Sequence, residues 1–230
     1  ISNGFAEYAV ADQNDMYKLN NEIDAKYSFN EPLKCVTTVL RSTKPEAGDF
    51  GVVAGCGPMG LWSIQGLKGN MLSALIAVDV NDKHLEFAKK YGATHVINPL
   101  KQDVVSSIEK ITNGNMADFV IEGTGNEKVV NDCMNYLCKF GRLVIMSSFK
   151  KPAEMFDLRL AVKKGVRMIV AHGSLTQEDD WRRSTYLINK GVYQTKDIIT
   201  HEFKLSQINE AFNCLENKPN GYLKGIISFD

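Results

Sequence analysis

The chain has 230 residues, of which 44% are apolar and 23% are charged, and its 27 basic side chains balance its 27 acidic ones. This is the composition of an ordinary globular protein, and the balanced charge gives no support to electrostatic attraction to nucleic acid or to an anionic membrane. The five cysteines are scattered without a C-x-x-C pair, so we expect neither a disulfide framework nor a zinc ribbon, and we expect a cytoplasmic protein.

The first 31 residues differ in character from the rest of the chain. They contain the stretch GFAEYAVADQNDMYKL, which predicts short strands and turns without a β-α-β unit. The chain opens at Ile1 within what reads as a strand, and we interpret this start as the cut edge of a larger unit. We therefore predict that residues 1–31 belong to a different domain from the one that follows.

A glycine-rich turn stands in the stretch GVVAGCGPMGLWSIQG, where a β-branched run leads into G-x-G-x-x-G and then into a helical pattern. In such a unit the first glycine makes a tight turn, the second admits a pyrophosphate, and the third lets the helix pack on the sheet. The helix directs its free N–H groups at the phosphates. The alternative is a turn that only saves space. The predicted cofactor-binding residues here are Gly55, Gly57, Pro58, Met59 and Gly60.

The next predicted strand, LIAVDV, carries an acid near its end. Asp79 lies nineteen residues after Gly60. A carboxylate at this place accepts hydrogen bonds from an adenosine ribose and repels a 2′-phosphate, so it favours NAD over NADP. The alternative is that Asp79 caps the helix that begins near Asn81. Lys83 is placed to reach the same ribose, or is solvated, and His84 is expected at the surface of its helix.

Strand-like and helix-like segments alternate from the glycine turn to about residue 175. The further predicted strands are THVIN, DFVIE, GRLVIMSS and VRMIVAHGS. Apolar residues at helical spacing separate them, and Gly92 is placed to end one of these helices. The alternation predicts an α/β fold, a doubly wound parallel sheet with helices on both faces, over residues 32–175. Residues 176–230 predict further helices and a final strand, LKGIISF.

The ordered motifs resemble those of the medium-chain dehydrogenase/reductase superfamily, in its zinc-dependent alcohol and polyol (sorbitol-like) dehydrogenase branch. The similar stretches are GFAEYAVADQNDMYKL, EPLKCVTTVL, GCGPMGL, AKKYGATHVIN, DFVIEGTG, GRLVIMS and IITHEFKLSQINEAF. The resemblance implies a Rossmann NAD-binding domain over 32–175, with remnants of a β-rich GroES-like catalytic domain at 1–31 and 176–230. It implies hydride transfer between a secondary alcohol or polyol and NAD.

The resemblance also implies zinc in the full-length enzyme, held by a cysteine and a His-Glu pair in the first part of the catalytic domain. This sequence has no counterpart of those ligands, so we expect this chain to lack zinc and to be inactive by itself, with the catalytic groups outside it. Glu31, in EPL, matches the acid that the family places beside the zinc. The alternative is a helix-start acid, with Pro32 at the first helical position.

The resemblance extends the predicted cofactor site to three later segments. Thr124, in EGTG, is similar to the loop under the cofactor, although an ordinary turn at a strand end has the same composition. Ser147 matches a strand end that lines the nicotinamide pocket, or it caps a helix. His172 follows a strand whose exit lies near the nicotinamide amide, where backbone contacts are expected. Edge-to-edge pairing through VRMIVAH, to a homodimer or homotetramer, is also implied.

Three other functions remain open at this point. A non-catalytic NAD(H)-binding module would carry the same glycine turn and Asp79. A methyltransferase also places a glycine turn before an acid at a strand end, although the downstream motifs speak against it. A zinc-less quinone reductase is the nearest alternative within the superfamily, and Glu31 with the complete G-x-G-x-x-G favours the zinc-dependent branch instead.

Overall fold

The fold is built on a parallel sheet of six strands in the order 3-2-1-4-5-6. The computed structural model describes residue 5 and residues 8–152, 156–171 and 178–229. The strands are β1 (Phe50–Ala54), β2 (Ala74–Val78), β3 (His95–Ile97), β4 (Ala117–Glu122), β5 (Leu137–Ile145) and β6 (Arg167–Val170). The order reverses between β1 and β4, and ligands of such sheets bind in the crevice outside the carboxyl ends of those strands.

Helices cover both faces of this sheet. They are α1 (Asn30–Thr43), α2 (Pro58–Leu67), α3 (Asp82–Tyr91), α4 (Val104–Ile111), α5 (Glu127–Tyr136), α6 (Leu158–Lys164), α7 (Glu178–Asn189) and α8 (Ile208–Asn217). One apolar core packs α1, α2 and α3 on the sheet, and a second packs α4 and α5 on the opposite face. The predicted doubly wound α/β fold is confirmed. In the described part of the chain, no helix is long and apolar enough to cross a membrane.

Side-chain caps set where several helices begin. The Asn81 side chain accepts the Lys83 N–H at 3.0 Å at the start of α3, and the Asp103 carboxylate accepts the Ser106 N–H at 2.7 Å at the start of α4. Each cap satisfies an amide that has no partner inside its helix. At the other end of α3, Gly92 has a φ of 124°, as a helix-ending glycine requires. The predicted end of this helix at Gly92 is confirmed.

Over residues 8–29, the described part of the segment before α1 forms turns in place of the short strands that its sequence predicts. Two 3-10 turns, Gln13–Asp15 and Ala25–Tyr27, occupy it, and residues 8–29 contain no strand. The Asp12 carboxylate accepts the Asn14 N–H at 2.8 Å, and Asp24 makes the equivalent bond at the second turn. Short acidic side chains that bond to nearby amides compete with strand pairing, so within residues 8–29 the strand prediction is wrong.

The last part of the chain forms a small unit of its own beside the main sheet. Strands β7 (Ile199–Lys204) and β8 (Lys224–Ser228) pair in parallel, and α8 connects them. The predicted helix and final strand of this segment are confirmed. Phe212 and Leu215 on α8 remain 48% and 47% exposed, so one apolar face of this unit is not covered by described residues.

A buried carboxylate ties α7 to α1. Asp180 is only 1% exposed, and its Oδ2 accepts hydrogen bonds of 2.8 Å from both the Thr38 hydroxyl and the Arg41 guanidinium. Removing one partner of a buried ion pair leaves the other charge without compensation. The Asp180 contact therefore joins α7, which follows the sheet in the chain, to α1, which precedes it.

Replacing Asp180 with Ala should lower the free energy of unfolding by about 3 kcal/mol, because Arg41 would remain half-buried without its carboxylate. The matched control is Asp179→Ala. That acid is 36% exposed, and among the described residues it pairs with the solvated Arg182 and Arg183, so its loss should lower stability much less than the loss of Asp180. Urea denaturation of both variants measures the difference. Equal destabilisation would contradict a special role for the buried pair.

Candidate cofactor-binding site

The three glycines of the turn differ in why they must be glycine. Gly55 has a φ of 94°, and a Cβ there would lie 2.9 Å from the Thr124 Cγ2 atom. A Cβ on Gly60 would lie 1.9 Å from the carbonyl oxygen of Gly55. Gly57 has no atom within 4 Å of the position that its Cβ would take. Close packing of the backbone therefore requires glycine at the first and third positions. The second glycine borders open space, and a turn whose glycines served only close packing would not need a glycine there.

The open space lies at the N-terminus of α2. Gly57 is the N-cap residue and has no side chain with which to cap the helix, and Pro58 has no N–H. The first helical N–H bond is made by Leu61, to the Gly57 carbonyl at 2.9 Å. The amides of Met59 and Gly60 therefore have no partner inside the helix, and they form a donor pair at the positive end of its dipole.

Asp79 lies directly after β2, with its carboxylate against the glycine turn. Its Oδ2 accepts the Cys56 N–H at 2.7 Å, and its Oδ1 accepts the Asn81 N–H at 2.8 Å. The His84 Nδ1 atom lies 3.4 Å from the same carboxylate. Asn81 itself is the N-cap residue of α3, so Asp79 does not cap that helix. The acid and the turn, which lie apart in sequence, thus form one site.

Opposing effects act on the ionisation of Asp79. Burial raises its pKa, but hydrogen bonds from the His84 ring and from the amides of Asn81 and Cys56 outweigh burial, and the pKa is lowered from its ordinary value. The carboxylate is therefore ionised at neutral pH, and its contribution to stability is lost only as the pH falls through this lowered value. An ionised acid at this place accepts hydrogen bonds from hydroxyl groups and repels a phosphate.

Of the two residues that follow Asp79 on α3, Lys83 is exposed, which agrees with its interpretation as solvated and leaves its contact with the ribose a prediction, whereas His84 departs from its expected place at the surface. Lys83 is exposed, and its Nζ lies 3.4 Å from the Asn220 side chain in the loop before β8. His84, expected at the surface, is only 23% exposed and contacts Asp79. The i+5 spacing from the acid was the only signal in the sequence that could have suggested this contact.

Thr124 and Ser147 meet at a residue that the sequence did not single out. Both hydroxyls donate hydrogen bonds to the carboxylate of Glu122, which is fully buried at the end of β4. The loop after β4 and the end of β5 are therefore connected at the carboxyl edge of the sheet. His172, the remaining predicted residue on this side, lies outside the described residues.

Glu31 lies in the first turn of α1, with Pro32 beside it. Its side chain is 69% exposed; its Oε1 atom lies 3.9 Å from the Lys34 Nζ atom and 3.8 Å from the Cys35 thiol. Burial, and then the charge of Glu31, raise the pKa of Cys35. Across residues 8–152, 156–171 and 178–229, no group of three or more metal-ligating side chains comes together, and Glu31 alone cannot hold zinc.

Comparison with known proteins agrees with this architecture. The model of the zinc-binding dehydrogenase family matches residues 58–190. A sorbitol dehydrogenase of Halalkalibacterium halodurans is 27% identical over 216 residues, which are 93% of this chain and 62% of that protein. An L-threonine 3-dehydrogenase of Bacillus velezensis is 30% identical over 213 residues, 92% of this chain and 61% of that protein. The crystal structure of 2R,3R-butanediol dehydrogenase from Bacillus subtilis is similar to this chain with a TM-score of 0.80 and 27% sequence identity. The similarity covers 93% of this chain and 60% of that one.

The six-stranded parallel sheet with its glycine turn and acid is the architecture of a Rossmann-like α/β domain. The chain belongs to the zinc-binding dehydrogenase family. The resemblance to the zinc-dependent polyol branch of the medium-chain dehydrogenases is confirmed. The chain spans 62% and 61% of the length of the two curated relatives named above.

Two glycine variants separate binding from packing. Gly57→Ala should change stability by less than about 1 kcal/mol, since nothing lies near the new methyl group, but it should weaken NADH binding at least about tenfold by filling the phosphate space. Gly60→Ala should destabilise the fold by about 2 kcal/mol, because the methyl group would push against the Gly55 carbonyl. Urea denaturation and NADH titration measure both effects. A Gly57→Ala chain that binds NADH like the wild type would contradict this assignment.

Proposed function

We propose that this chain is the NAD(H)-binding part of a zinc-type alcohol or polyol dehydrogenase, which transfers hydride between a secondary alcohol or polyol and NAD. The observation that carries the proposal is the ionised Asp79 carboxylate held against the glycine turn, 2.7 Å from the Cys56 amide. Membership of the zinc-binding dehydrogenase family supports the class of reaction. The sorbitol dehydrogenase among its relatives supports an alcohol or polyol as substrate.

Each half of the dinucleotide has a distinct set of partners in this proposal. The amides at the start of α2 bind the pyrophosphate, and Asp79 accepts hydrogen bonds from the adenosine ribose. Lys83 follows Asp79 by four residues, and its side chain would reach the same ribose once its contact with Asn220 is broken. Thr124, Ser147 and the backbone at His172 form the nicotinamide side. When bound, NAD supplies the hydride acceptor, and the chain positions its nicotinamide against the substrate carbon.

Zinc enters the proposal only through Glu31. Among the described residues no group of three or more metal-ligating side chains comes together, and Glu31 is the residue that this proposal assigns to the zinc. The remaining ligands would come from residues that this sequence does not contain. On this proposal the chain binds the cofactor but does not oxidise alcohols alone. A cytoplasmic location is also proposed, because the five free cysteines suit a reducing compartment.

We further propose that two copies of the chain pair through the edge strand β6. Among the described strands, β6 has one sheet partner, β5, and its other side forms the edge of the sheet. Met168 and Val170 on β6 are 43% and 55% exposed, and Leu158 and Val162 on the adjacent α6 are 67% and 80% exposed. An exposed edge bordered by apolar side chains favours pairing with another strand, and a second copy buries the same patch on both partners.

Asp79→Asn tests the cofactor assignment. Loss of the charge should weaken NADH binding about tenfold or more, because a hydrogen bond to a charged group is worth about 1.5–3 kcal/mol. The preference for NADH over NADPH should shrink at the same time, since the 2′-phosphate no longer faces a carboxylate. Isothermal titration calorimetry with both nucleotides measures this. The control is Asp82→Asn, which removes a solvated acid paired with Lys101, and equal effects of the two variants would sink the assignment.

Charges on β6 test the pairing of two copies. Met168→Lys combined with Val170→Lys should convert a dimer into a monomer, because four lysines would meet at the shared edge. Leu100→Lys, at a 77% exposed position in the loop after β3, is the control and should leave the dimer intact. Sedimentation velocity measures the distribution. A wild-type chain that sediments as a monomer at all concentrations would refute the pairing.

A further inference from the structure

Glu122 is a fully buried carboxylate at the point where the strand order reverses. It ends β4, and it pairs in register with Ala54 of β1 on one side and with Ile145 of β5 on the other. A carboxylate in such a place is costly unless hydrogen bonds satisfy its oxygens. Glu122 lies on one of the two strands that border the crevice, so the groups that donate these hydrogen bonds show what the carboxylate holds in place there.

The donors to Glu122 come from two different loops. Its Oε1 accepts the amides of Thr124 and Gly125 at 2.7 and 3.1 Å, together with the Thr124 hydroxyl, and its Oε2 accepts the Ser147 hydroxyl. The loop also touches the glycine turn, since Gly55 has no room for a Cβ beside Thr124. The Glu122 carboxylate thus joins the segments that follow β4 and β5, and the first of these contacts the glycine turn after β1 through Thr124.

These bonds determine whether the Thr124 and Ser147 hydroxyl groups can donate or only accept further hydrogen bonds. A hydroxyl has one proton, and a hydroxyl that donates it to a carboxylate can offer only lone pairs to other groups. The Thr124 oxygen already uses a lone pair on the Asn126 amide, at 3.2 Å. The Ser147 oxygen remains an acceptor, and it lies at the border of a cavity of about 520 Å³. The apolar residues that line this cavity include Val130, Ile145, Phe156, Met168 and Val170.

We propose that Glu122 is a positioning residue for the nicotinamide half of the cofactor: it holds the loop at 123–125 in one arrangement and presents the Ser147 oxygen as a hydrogen-bond acceptor. The inference rests on the proposed function. A dinucleotide lies across the point of strand reversal, so when Asp79 takes the adenosine half over β2, the other half lies over β4 and β5. The nicotinamide carboxamide and its ribose carry the N–H and O–H donors that such an acceptor binds.

Two ligands separate positioning from a purely structural role. NADH contains the nicotinamide, whereas ADP-ribose has the same adenosine and pyrophosphate without it. In Glu122→Gln, the amide N–H₂ replaces one acceptor oxygen, so it cannot take all the donors of the two loops. NADH affinity should fall about tenfold, whereas ADP-ribose affinity should stay within about twofold. Ser147→Ala should also weaken NADH binding and leave ADP-ribose binding unchanged, but with a smaller effect. This variant tests the inference if Glu122→Gln does not fold.

Glu109→Gln is the control, because it makes the same chemical change at an exposed position on α4. Calorimetric titration with each ligand, and the melting temperature of each variant, complete the experiment. Unchanged NADH affinity in both site variants, or equal losses for NADH and ADP-ribose, would overturn the inference. A wild-type chain that binds neither ligand would overturn the proposed function and this inference with it. A wild-type chain that binds both keeps the proposed function whatever the variants do.

Discussion

The site depends on how closely the backbone of α2 approaches the end of β1. A Cβ on Gly60 would lie 1.9 Å from the Gly55 carbonyl oxygen, so any side chain there would force the helix away from the sheet. The close contact leaves the N–H groups of the first helical turn facing the crevice between β1 and β4. The open space beside Gly57 then follows from the same geometry. Backbone packing, more than any single side chain, shapes the place where a phosphate would bind.

Two carboxylates flank this crevice, and backbone amides hold both. Asp79 follows β2 and binds the amides of Cys56 and Asn81, whereas Glu122 ends β4 and binds those of Thr124 and Gly125. Each acid joins its own loop to a neighbouring segment, Asp79 to the glycine turn and Glu122 to the end of β5. Hydrogen bonds of this kind fix the orientation of a carboxylate. The carboxyl edge of the sheet is therefore held in place by hydrogen bonds within the chain itself.

The sequence predicted the features that depend on local patterns. The alternation of strands and helices, the glycine turn and the strand-end position of Asp79 are all written within short windows. The contact of Glu122 with Ser147 was not predictable in this way, because it joins two loops that meet only after the sheet forms. The contact of His84 with Asp79 lies within one short segment, but it depends on the direction in which α3 leaves β2, which the i+5 spacing alone does not fix. Within residues 8–29 turns replace the expected strands for a local reason, since side chains such as Asp12 bond to nearby amides.

Hydrogen–deuterium exchange with and without NADH tests the central claim most directly, because it reports where along the chain the cofactor binds. The account predicts that saturating NADH slows exchange in peptides that span residues 55–61 and 79–84, and leaves the exposed face of α4 unchanged. Protection confined to other segments, with the glycine turn unaffected at saturation, would contradict a dinucleotide site built on Gly57 and Asp79.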